Sequence, residues 1–137
     1  MNSFNDYIYR YGLHDCVVND IFVEGEQLVF GFAQGVYVLD DYGKERNLTE
    51  SCKMIVKVAG LNQNKMWEHV EINCLSKGTI CEIEYDDFVQ KVKEFNFDID
   101  INYYSHFCNA ILLKGYIKDD KYEMEISEVS TVEFVFS

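Results

Sequence analysis

Proline is missing from all 137 residues, and no stretch is apolar enough to span a bilayer. Low-complexity tracts and internal repeats are also absent, so nothing marks a linker and the expectation is a single domain over 1–137. Basic residues are scarce: 12 Lys and Arg stand against 24 Asp and Glu, a net charge of −12. A field of that sign repels phosphate backbones and anionic lipid, which excludes nucleic acid and membrane surfaces as partners. It attracts basic proteins. The plainer role of such acidity is to keep a small domain in solution.

Met1 to Gly12 is polar and Tyr-rich, without the apolar core of a secretion signal. The five cysteines are odd in number and scattered. Together these lead to the expectation of reduced thiols, a cytoplasmic location and an Asn47-Leu48-Thr49 sequon present by chance.

The apolar content is 48%, and 15% of residues are aromatic, enough to build a core without staples. Its arrangement is mostly period two, the mark of strands with one buried face. Residues 15–23 and 27–33 flank Glu24-Gly25-Glu26 and predict a hairpin. Cys52, Met54, Val56 and Val58 alternate with Lys53, Ile55 and Lys57. Val70, Ile72 and Cys74, then Cys81, Ile83 and Tyr85, do the same around a Lys77-Gly78 turn. Asp87-Phe88-Val89-Gln90 has the form of a helix cap, with Phe88, Val92 and Phe95 at helical spacing, and predicts one short helix near 87–94. Phe95, Phe97, Ile99, Ile101 and Tyr103 then alternate strictly with Asn96, Asp98, Asp100 and Asn102, which predicts a strand burying the first set and wetting the second. The fold class is mainly β: an antiparallel sandwich or partly open barrel of about nine strands with that helix.

Chemistry-bearing residues are few. His14-Asp15-Cys16 and His106-Phe107-Cys108 bring thiols and imidazoles close in sequence, so His14, Cys16, His106 and Cys108 are the candidate catalytic residues. Neighbours on a strand point apart, however, and a buried thiol beside a turn histidine is the commoner arrangement. Cys52, Cys74 and Cys81 fall on predicted core faces, and no spacing matches a zinc site. Asp98 and Asp100 share a predicted strand face but lack a calcium loop. No metal site and no cofactor are expected.

What stands out is a comb of outward carboxylates on the C-terminal strands: Asp98, Asp100, Glu123, Glu125 and Glu133, extended by Glu71, Glu82 and Glu84. With Tyr103 as an aromatic anchor, and Tyr85, Tyr104 and Tyr116 as others, these form the candidate partner-binding set. The leading expectation is a non-enzymatic interaction domain that masks a basic protein, in the manner of an immunity or antitoxin protein. The alternatives are a small-ligand binder or Cys/His enzyme in a β-barrel, and a homo-oligomeric subunit pairing through its edge strands.

Overall fold

Alternation becomes architecture through three antiparallel sheets in the computed structural model, which describes residues 10–76, 78–105 and 107–137. In chain order the strands are β1 (Tyr11–Gly12), β2 (Val17–Val18), β3 (Asp20–Glu24), β4 (Gln27–Phe32), β5 (Tyr37–Leu39), β6 (Glu45–Leu48) and β7 (Cys52–Val58). A 3₁₀ segment, Gln63–Glu68, leads into β8 (Val70–Ser76) and β9 (Thr79–Ile83). Helix α1 (Tyr85–Phe95) is followed by β10 (Phe97–Ser105), β11 (Ala110–Ile117), β12 (Asp120–Ile126) and β13 (Val129–Phe136). The alternation of Val36, Tyr37 and Val38 predicts β5, whereas β1 and β6 lie where none can be read, and the strand expected over 15–23 divides into β2 and β3, which join different sheets.

A six-stranded sheet has the order β2-β10-β11-β12-β8-β9, and a four-stranded sheet the order β13-β7-β4-β3. A small third sheet, β1-β5-β6, lies at the side. The inner faces of the two larger sheets share one core: Ile72, Phe97, Ile111, Leu113 and Met124 from one, and Ile21, Phe30, Met54, Val56 and Val132 from the other. The fold is therefore an antiparallel sandwich, and no sheet closes into a barrel among the described residues. The predicted hairpin is present as β3 and β4, paired from Asp20↔Gly31 to Glu24↔Gln27. Among the described residues no helix is long and apolar enough to cross a membrane.

The helix begins earlier than its sequence signature suggests. Glu84, not Asp87, is the N-cap, and its side chain makes no capping bond; Asp86 and Asp87 instead lie in the first turn, where they favour the positive end of the helix dipole. Phe88 and Val92 are its buried residues. Phe95, expected to be buried, is 43% exposed, with the Lys118 ammonium 3.8 Å above its ring.

The hydroxyl of Tyr85, at the start of α1, is buried without a hydrogen-bond partner among the described residues. Burial pushes its pKa well above the ordinary phenol value, with smaller contributions from Asp86 and Asp20. A desolvated, unpaired hydroxyl costs stability, so Tyr85→Phe is expected to stabilise the domain by about 1 kcal/mol in urea unfolding. A loss of similar size would show that the hydroxyl has a partner in solution.

Candidate functional site

The strict alternation of β10 breaks at one residue. Ile99 pairs with Gly115 and Ile101 with Lys114, so Asp100 is an extra residue, a β-bulge, on the β10 side. Because side chains alternate with period two, one inserted residue exchanges the faces of everything beyond it. Before the bulge Phe97 and Ile99 are buried, as predicted. After it, Ile101 and Tyr103 turn to solvent, 46% and 60% exposed, which corrects the expectation that they line the core. Tyr104 takes the inner face instead, packing on the core with its hydroxyl 3.0 Å from Asn109 Oδ1.

The outer face of the six-stranded sheet can be built from the register. One row runs Asp98–Tyr116–Lys121–Leu75–Ile80 across β10, β11, β12, β8 and β9. The next runs Ile101–Lys114–Glu123–Asn73–Glu82, and a third Tyr103–Leu112–Glu125–Glu71. The face thus gathers Ile101, Tyr103, Leu112 and Tyr116 on β10 and β11 and Glu123, Glu125, Glu71 and Glu82 on β12, β8 and β9, with Asp98, Lys114 and Lys121 among them. Lys114 Nζ lies 3.8 Å from Glu123 Oε2. Glu125 has no such partner among the described residues: it sits directly opposite Glu71, and like charges in that position destabilise a sheet.

Of the predicted set, Asp98, Tyr103, Glu123 and Glu125 do share this face. Glu133 does not. It lies on β13 opposite Ile55, on the outer face of the four-stranded sheet. Asp100 is also separated from Asp98, because the bulge directs it to His14, whose Nε2 is 3.7 Å from Asp100 Oδ1. The imidazole of His14 is ringed by carboxylates, with Nδ1 3.5 Å from Asp15 and 3.7 Å from Glu45.

The adjacent thiol is not part of that cluster. Cys16 is buried, and its Sγ faces the carbonyls of Gly12 and His14 at 3.4 and 3.8 Å rather than the imidazole ring. Burial is the main cause that pushes its pKa up to about 11, so it is a thiol at neutral pH and a poor nucleophile. Cys108 is exposed, and His106 lies outside the described residues. No group of three or more His, Cys, Asp or Glu is arranged to hold a metal among the described residues.

Cys52 is buried as expected, but Cys74 is half-buried and Cys81 is exposed, a correction that follows from the place of β9 at the sheet edge. The two are direct partners across β8 and β9. Antiparallel partners have Cα separations within the range a disulfide spans. Diamide, which takes up the two thiol hydrogens, is therefore expected to convert this pair to a cross-strand disulfide in a Cys108→Ser variant. Intact mass and peptide mapping check this. A product in which Cys74 and Cys81 are unlinked would contradict the register.

A concavity of about 500 Å³ lies beside β9, between the 3₁₀ segment and the start of α1. Met66, Val70 and Ile83 contribute its apolar surface, Glu82, Glu84 and Asp86 its charge, and Trp67 one wall. Sequence reading missed this site because Trp67, the sole tryptophan, lies in a stretch with no periodicity. Its one signal was an aromatic residue isolated in a polar loop. No protein-family model, curated protein or solved structure matches this chain.

Proposed function

We propose that the chain is a protein-interaction domain whose partner is basic, docked on the outer face of the six-stranded sheet. The bulge at Asp100 carries the reading: one inserted residue places Ile101 and Tyr103 on the same face as Tyr116, Glu123 and Glu125. Exposed aromatic and aliphatic side chains offer the desolvated contacts from which most binding energy comes. The carboxylates beside them, with the overall charge of −12, steer and orient a cationic surface. In its most specific form the proposal is a cytoplasmic immunity or antitoxin protein that masks a basic toxin. Like-charge repulsion between copies opposes self-association through the same face.

The Glu71–Glu125 opposition gives a two-sided test. Glu125→Gln removes the repulsion and is expected to raise stability by a few tenths of a kcal/mol to about 1 kcal/mol. The same change weakens capture of the basic partner from the source cell at low salt. Gain of stability with loss of binding marks a residue kept for function. Unchanged capture by Glu125→Gln, or a partner that is acidic, overturns the proposal.

A further inference from the structure

Trp67 is 69% exposed, yet the turn that carries it is firmly anchored. Met66 beside it is buried, Asn62 caps the 3₁₀ segment by accepting a 2.9 Å bond from the Asn64 N–H, and the His69 N–H bonds to the Met66 carbonyl at 3.1 Å. The segment breaks at Lys65 (φ −139°, ψ 52°), so it is the burial of Met66 and the His69–Met66 bond that hold the Trp67 ring outward. No cation lies over it among the described residues, although three other aromatic rings in the chain have one.

Across the concavity stand Glu82, Glu84 and Asp86, and none of the residues lining it is basic. The start of α1 contributes a positive dipole end there, worth about half a charge, which three carboxylates outweigh. Glu84 makes no capping bond, so its carboxylate is not used by the helix. The neighbouring strand β9 is the last of its sheet, and no strand pairs with its outer side among the described residues. Its Thr79, Ile80, Cys81 and Glu82 are exposed.

We propose that this groove binds an arginine or lysine side chain of an extended segment of a basic polypeptide, stacked on Trp67 and neutralised by Glu82, Glu84 and Asp86. The charge of the groove selects the cation, the indole face supplies the attraction that favours guanidinium and ammonium, and the bare β9 edge receives backbone. The inference rests on the reading of the chain as a basic-partner domain and adds a second point of attachment at the sheet edge, which shares Glu82 with the outer face.

Because Trp67 is the only tryptophan, its fluorescence reports on the groove alone. Titration with a tetra-arginine peptide at low salt is expected to change its emission saturably, while tetra-glutamate does not. The double variant Glu84→Gln with Asp86→Asn, both exposed groove positions outside the outer-face rows, weakens the affinity about five- to tenfold. Circular dichroism confirms that it folds, and Glu84→Gln alone supplies a second variant. The face variant Glu71→Gln with Glu125→Gln, run in parallel, leaves the affinity within about twofold. A non-saturating response, or a tetra-glutamate response of equal size, overturns the groove. So does weakening by the face variant alone, which leaves the broader reading standing. Absence of any peptide binding to wild type, by fluorescence and by calorimetry, counts against both.

Discussion

Gly115→Ala is expected to cost about 3 kcal/mol or more of stability, and to disturb the outer face of the six-stranded sheet more than any surface change. A Cβ at Gly115 would overlap the Asp98 carbonyl oxygen and lie 2.9 Å from both the Asp98 carbonyl carbon and the Phe97 ring. A side-chain clash can often be relieved by a rotamer change. Here the principal obstacle is the backbone of β10, fixed one residue before the bulge begins. To admit the methyl group, β10 must move away from β11, which loosens the pairs that follow from Ile101↔Lys114 onward. Those are the pairs that hold Ile101 and Tyr103 outward. Urea unfolding measures the loss, and amide exchange in β10 and β11 locates it. A loss below about 1 kcal/mol would mean that the strands do not approach so closely in solution.

Phe88→Ala is expected to cost about 3–5 kcal/mol, the usual range for removing a fully buried phenylalanine. Phe88 has no exposed surface, and its ring meets Phe97 edge-on with centroids 5.3 Å apart and Tyr122 at 5.6 Å. It is the chief apolar tie between α1 and the sheet, since Val92 is the helix's one other buried residue. The helix carries a single turn's worth of apolar anchor and too few residues to persist alone. Its detachment would also remove Glu84, Tyr85 and Asp86 from the wall of the Trp67 groove. Unfolding is best followed by circular dichroism, because Trp67 is exposed in the native fold and its emission changes little on denaturation. A cost near 1 kcal/mol would indicate that the helix is held by other contacts.

These two positions also show where the sequence is legible and where it is not. The β3–β4 hairpin can be read because its signal is local: alternation on both sides of a turn whose Gly25 has φ +64°. Helix α1 can be read for the same reason, although its start is misplaced when Asp87 is taken for a cap. The bulge cannot. Whether Asp100 is paired or inserted depends on β11 approaching β10 at Gly115, fifteen residues further along, and nothing near Asp100 announces it. Ile101 and Tyr103 therefore look like core by alternation and are surface in the fold. Glu133 fails differently. Its outward orientation is correct, but outward on β13 means the other side of the sandwich, because sheet membership is set by long-range pairing. The acidic comb is thus real only in part: Asp98, Glu123 and Glu125 share a face with Glu71 and Glu82, whereas Asp100 and Glu133 leave it. The Trp67 groove was illegible throughout, since it forms where a non-periodic loop meets a sheet edge and a helix start.

The division between the two outer faces separates docking at a surface from attraction by net charge. Glu125→Lys and Glu133→Lys change the net charge equally but lie on opposite sides of the sandwich. With the basic partner captured at low salt, the most direct measurement is its affinity for these two variants and for Tyr103→Ala, by calorimetry at fixed ionic strength. Docking on the six-stranded sheet predicts that Glu125→Lys and Tyr103→Ala each weaken binding by at least about tenfold, while Glu133→Lys leaves it within about twofold. Equal weakening by Glu125→Lys and Glu133→Lys, with Tyr103→Ala silent, would contradict the account.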